Sequence, residues 1–202
     1  FKQYGSNKAL AVEEVKADPD SPLAYDGSQD PNQWAYRRIA KRGKEISDMF
    51  RSVFGDSEMM RRIRPVFATQ VVNLYASQLG LDFIESVYGP PAKYFYAMAG
   101  APYFNLGKQQ REEGLSTDQV LQAMDQSVTD LPRINEFEKN QTLASWYGLP
   151  WLAYEGGADS FGPGSQDAKM NANLDSRMQD LCQRYLSTWY QSGGQLFMWF
   201  NA

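Results

Sequence analysis

The chain has 202 residues, 43% of them hydrophobic and 14% aromatic, which is enough apolar material for a sizeable core and by default one domain. Its 20 Lys and Arg against 24 Asp and Glu give a net charge of −4 with both signs dispersed, which speaks against a nucleic-acid binder. Histidine is absent, so Ser-His-Asp and Cys-His catalysis and histidine metal ligation are excluded and carboxylates are the main acid–base groups left.

Cys182, the single cysteine, can form neither an internal disulfide nor a thiolate zinc site and reads as a core thiol. No metal or cofactor is expected. No run of about 20 apolar residues is present, so no membrane-spanning helix is expected. The chain opens on Phe1 without a visible signal peptide, which leaves a removed targeting segment open.

From residue 1 to 31 the sequence is polar, with Asp18-Pro-Asp-Ser-Pro22 and Asp26-Gly-Ser-Gln-Asp-Pro31, and predicts an irregular loop segment with at most a short turn over 9–15. An amphipathic helix follows near 31–54. Asp30 is its N-cap, Gly55 its stop, and Ala35, Ile39, Ile46, Met49, Phe50 and Val53 share its inward face. The basic clusters Arg37-Arg38 and Arg61-Arg62 read as solvated faces. Residues 63–70 predict a strand ending at Gln70, and 71–88 a helix with Leu74, Leu81, Ile84 and Val87 inward.

A second strand, 94–99, is apolar on both faces and runs into Gly100-Ala-Pro-Tyr103. Ser116-Thr-Asp-Gln119 is a capping box opening a helix with Val120, Leu121, Met124 and Val128 inward. Asp130-Leu-Pro132 predicts a separate helix to Tyr147, stopped by Gly148. A helix over 173–191 has Leu174, Met178, Leu181, Tyr185, Leu186 and Trp189 in phase, and 195–200 predicts a fourth strand ending in Asn201-Ala202. Strands alternating with helices predict an α/β fold with a parallel sheet of right-handed crossovers.

The stretch that points to chemistry is Leu149-Pro-Trp-Leu-Ala-Tyr-Glu-Gly-Gly157. It predicts a buried third strand with Glu155 at its carboxyl end, followed by glycines that leave room beside the carboxylate and by a loose segment over 158–165. Ligands bind at that end of the strands in sheets of this kind. A Glu closing a strand is also an ordinary solvated residue, and Trp199 and Phe200 are equally read as core. No phosphate-binding loop is present: Gly162-Pro-Gly164 lacks a following Lys-Ser/Thr. The Asn140-Gln-Thr142 sequon is predicted inside a helix.

With strands ending in Ala-Thr-Gln70, in Gly-Ala-Pro-Tyr103, in Tyr154-Glu-Gly-Gly157 and in Met-Trp199-Phe-Asn201, the chain resembles a retaining glycoside hydrolase of the (β/α)8-barrel clan with catalytic glutamates on strands 4 and 7. It resembles the C-terminal half of that TIM barrel, strands 5 to 8, over residues 32–202. The resemblance implies that Glu155 is the nucleophile, that Trp199 floors a sugar subsite, and that the substrate is an oligo- or polysaccharide. It also implies an upstream half-barrel of the same protein as partner, with the acid/base glutamate just before Phe1-Lys-Gln-Tyr-Gly5, so that this chain alone is inactive.

Gln70 is the expected amide for sugar hydroxyls, Tyr103 a phenol bonding the nucleophile, and Tyr154 a neighbour shaping its surroundings. Asp159 is too close in sequence to be the opposite carboxylate, while Asp18, Asp20, Asp26 and Asp30 lie in a loop that could reach the site. The alternative is a non-catalytic carbohydrate-binding or scaffold protein on the same fold. Cellular location is left open, with secretion as the expectation that accompanies polysaccharide degradation.

Overall fold

The computed structural model describes residues 2–200, the side chains of residues 2–4 excepted. Expectations placed on Phe1, Asn201 and Ala202 lie outside the described residues. The chain forms two compact units, the first taking in the residues up to Ala99 with Thr142–Pro150, the second Gly100–Gln141 with the residues from Trp151 onward.

In the first unit α1 (Lys2–Ala17) packs on α2 (Pro31–Phe54). This corrects the irregular segment expected over 1–31 for residues 2–17, while 18–30 are turns as expected. Residues 2–17 carry no strong apolar stripe to announce a helix. Partners on α2 hold it instead: the Glu14 carboxylate accepts from Lys41 Nζ at 2.6 Å, and Lys8 Nζ donates to Asn32 Oδ1 at 2.9 Å. Tertiary packing of this kind overrides weak local preference.

The α2 ends follow the sequence rules. Asp30 accepts from Asn32 N at 2.8 Å, Pro31 opens the first turn, and Gly55 takes φ +84° at the end. Arg37, expected on a solvated face, is 2% exposed. Its guanidinium donates to Asp26 Oδ2 at 2.5 Å, Asp26 Oδ1 at 2.8 Å and Leu23 O at 2.7 Å, which ties the 18–30 turn to the helix. Asp26 is therefore used structurally, and Asp30 is the helix cap.

β1 (Val66–Ala68) pairs in parallel with β2 (Ala97–Gly100), Phe67 opposite Met98. Between them α3 (Leu74–Tyr88) starts at the Asn73 cap and buries Leu81 and Ile84, with Leu74 and Val87 partly covered. A Cβ at Gly80 would stand 2.7 Å from Phe67 Cζ and 3.3 Å from Ala40 Cβ, so this glycine lets α3 approach both the strand and α2. The inward face expected for α2 holds only in its first half. Ala35 is buried and Ile39 partly covered, whereas Ile46, Met49, Phe50 and Val53 are exposed.

The second unit begins with β3 (Tyr103–Asn105) and α4 (Thr117–Ile134). Ser116 and Gln119 close the expected capping box, and Val120, Leu121, Met124 and Val128 are buried. The new helix expected at 130–132 does not start there. α4 runs through Pro132 and stops at Asn135, whose left-handed backbone (φ 57°, ψ 32°) separates it from α5 (Glu136–Trp146). Asparagine tolerates that conformation, and it is the break.

β4 (Trp151–Ala153) and β5 (Gly157–Asp159) follow, then α6 (Gln166–Leu174) and α7 (Ser176–Gln191). The single helix expected over 173–191 is thus two. Asp175 is extended and caps α7 through Arg177 N at 2.9 Å, which leaves Leu174 exposed rather than inward. Met178, Leu181, Tyr185 and Trp189 are buried as the spacing predicts, while Cys182 is only half-buried.

Tyr185 and Trp189 of α7 form an aromatic floor under the strands, 4.8 Å from the Phe104 ring and 5.5 Å from the Trp151 ring respectively. Residues 195–200 run parallel to β4 through an isolated bridge, Ala153 to Phe197, rather than as a full strand. A Cβ at Gly194 would meet the Trp189 indole at 2.2 Å, and that indole donates to Gln195 O at 2.9 Å, which fixes where the segment enters. The observed architecture is mixed α/β with short parallel strands, and among the described residues no barrel is closed.

Candidate functional site

Glu155 lies at an interruption in a parallel ladder. Tyr154 N donates to Gly100 O at 3.1 Å and Gly157 N to Pro102 O at 3.0 Å, after which Tyr103 pairs with Gly157 and Asn105 with Asp159. Residues 100–105 and 154–159 therefore run side by side. The ladder breaks beside Pro102, which has no amide hydrogen to give. This corrects the loose segment expected directly after the glycines: Gly157–Asp159 is strand because Tyr103–Asn105 offers it a partner.

Both glycines are required by close neighbours. A Cβ at Gly156 would stand 2.3 Å from Pro102 O and 2.8 Å from Phe197 Cζ. One at Gly157, where φ is +126°, would meet Trp199 ring atoms at 2.8 and 2.9 Å. The Trp199 indole thus lies against the backbone beside Glu155, 38% exposed, with the Phe197 ring 5.8 Å behind it. Phe200 N donates to Gly156 O at 2.9 Å and holds the segment there.

Tyr103, paired with Gly157, stands beside Glu155, near enough for the charge of that side chain to act on its phenol. Its phenol is held above the ordinary value of 10.0, first by burial and then by the charges of Glu155 and Asp159. Tyr154, 43% exposed, is shifted the same way by burial and by Glu155. Protonated tyrosine is a donor, so this surrounding keeps a donor beside Glu155.

Four of the five residues singled out from the sequence, Glu155, Tyr103, Tyr154 and Trp199, come together in the second unit. Gln70 is exposed in the first unit, in the turn after β1, where its carbonyl accepts from Asn73 N at 3.0 Å. Asp159 belongs to the same group, through its charge on Tyr103, although its closeness in sequence rules it out as the carboxylate opposite Glu155. The two-residue step from Gly157 along β5 was the signal for it, hidden because the segment read as loop.

Among the described residues no group of three or more Cys, Asp and Glu side chains is arranged to hold a metal ion. No helix is long and apolar enough to cross a membrane among these residues. Comparison of the chain with family models, with curated proteins and with solved structures returned no match.

Proposed function

We propose that this chain carries the nucleophile of a retaining glycoside hydrolase and acts on oligo- or polysaccharide. The observation that supports it best is the Tyr103 phenol set beside Glu155 next to a part-exposed Trp199 ring. Glu155 attacks the anomeric carbon, the glycosidic bond to the leaving oxygen breaks, and a glycosyl ester forms on the carboxylate. A second carboxyl group about 5–5.5 Å away gives its proton to the leaving oxygen and then takes one from the water that hydrolyses the ester. In this reading that second group belongs to an upstream half-barrel of the same protein, joined to the short parallel strands of this chain in a (β/α)8 barrel. Tyr103 orients Glu155 and stabilises its charge, while Trp199 stacks on the apolar face of a pyranose.

Glu155→Gln tests the role. The complete enzyme carrying it is expected to lose turnover of aryl glycosides and polysaccharide while its melting temperature stays within a few degrees of wild type. Wild-type turnover in that variant removes Glu155 from the mechanism. Retained glycan binding with no turnover even in the unmutated protein would favour a carbohydrate-binding scaffold instead.

A further inference from the structure

Beyond Asp159 the chain enters residues 160–165, a segment tied down from several directions. Lys169, 5% exposed, donates its ammonium to the carbonyls of Gln110 at 2.7 Å, Gly162 at 3.1 Å and Pro163 at 3.4 Å. The Gln110 amide returns a hydrogen bond to Phe161 O and another to Asp159 Oδ1 at 3.3 Å, and Phe161 N donates to Asp159 Oδ1 at 3.0 Å. Ser165 Oγ donates to Glu112 O at 2.7 Å and accepts from Leu115 N at 2.8 Å. A Cβ at Gly164 would stand 2.6 Å from Glu112 O, so the two loops touch backbone to backbone.

Burying an ammonium and ordering a loop are both costly. What this segment presents in return is the Phe161 ring, 89% exposed. The ring contributes nothing to the core, yet its backbone is fixed at both N–H and C=O. Asp159, which binds that backbone, is the same residue whose charge acts on Tyr103 beside Glu155. Phe161 is six residues past Glu155 on a partly extended run, a reach of up to ~20 Å at strand rise.

We infer that Phe161 is a second stacking platform for a glycan that also occupies the Glu155–Trp199 site, and that Lys169 is the positioning residue that holds it there. This rests on the glycoside hydrolase reading and sharpens it: the substrate is a chain of several sugars, gripped at two aromatic faces, rather than a single sugar on a small aglycone.

Affinity electrophoresis of the chain in xylan, galactomannan and mixed-linkage β-glucan identifies a retained polymer. Titration calorimetry then compares its hexasaccharide and disaccharide. Phe161→Ala is expected to weaken hexasaccharide binding ~3- to 10-fold, the size of one aromatic contact, and to leave disaccharide binding unchanged; Phe161→Trp restores it. Lys169→Met is expected to show the same split between long and short ligand, which a general loss of folding would not produce. Unchanged hexasaccharide binding in Phe161→Ala, with disaccharide binding lost in Trp199→Ala, overturns the platform and leaves the reading of the Glu155 site intact. Failure of the unmutated chain to bind any of the three polymers overturns both.

Discussion

Tyr103 and Glu155, on two segments 52 residues apart in sequence, are brought side by side where Tyr103 pairs with Gly157 in a parallel ladder. In the proposed mechanism the phenol donates to that carboxylate, and a bond to a charged group contributes about 1.5–3 kcal/mol. Tyr103→Phe is therefore expected to lower kcat/KM of the complete enzyme roughly 10- to 100-fold, with little change in melting temperature because the ring stays. Unchanged kcat/KM would mean that the phenol does not act on the nucleophile.

Gly156 and Gly80 are both places where a methyl group has no room. Alanine normally stabilises a helix interior by about 1 kcal/mol over glycine, yet Gly80→Ala is expected to destabilise, since its Cβ would lie 2.7 Å from Phe67 Cζ. Overpacking costs about 1–3 kcal/mol, or a fall in melting temperature of roughly 2–4 °C per kcal/mol for a chain of this size. Gly156→Ala is expected to cost more, because the obstacle there is backbone, Pro102 O at 2.3 Å. Thermal melts of the two variants check both the sign and the order.

The Arg37 hydrogen bond holds the Asp26 carboxyl below its ordinary value of 3.8. A depressed folded value gives stability that is present above the unfolded value and is lost as pH falls through the folded one. Asp26→Asn is expected to be less stable than wild type at neutral pH, because Arg37 stays buried without its charge partner. The gap should narrow once pH drops below 3.8. With the Asp26 side chain 40% exposed, screening keeps the effect modest. A gap that is constant across acid pH would contradict the pairing.

Among the described residues β1 pairs on one side only; the exposed Ile46 of α2 lines one cleft with Val66, Phe67 and Ala68, and Met49, Phe50 and Val53 continue the exposed apolar run along α2. An open strand edge beside an apolar stripe promotes association. The isolated chain is expected to self-associate with rising concentration in sedimentation velocity, and Ile46→Lys with Val53→Lys to suppress it. A monomer at all concentrations would count against the half-barrel reading.

The sequence made the site more legible than its frame. Residue type and local order were enough to single out Glu155, the two glycines and Trp199, because turn chemistry and the end of an apolar run are local signals. Asp159 depends on which segment pairs with which, and a three-residue strand such as Gly157–Asp159 has too few residues to show a period. The α1 helix was illegible for a related reason: its stability comes from Glu14 and Lys8 meeting α2, not from its own pattern. At Asn135 and Asp175 a single polar residue ended a helix where apolar spacing alone ran on.

In the proposed mechanism Glu155 forms a covalent bond to sugar. Incubation with a 2-deoxy-2-fluoroglycosyl fluoride, followed by proteolysis and tandem mass spectrometry, reads that directly. The expected result is one added fluoroglycosyl group on the peptide containing Tyr154-Glu155-Gly156, absent in Glu155→Gln. A fluoroglycosyl group found on another residue, or turnover of glycosides by a complete enzyme whose Glu155 is never labelled, would contradict it.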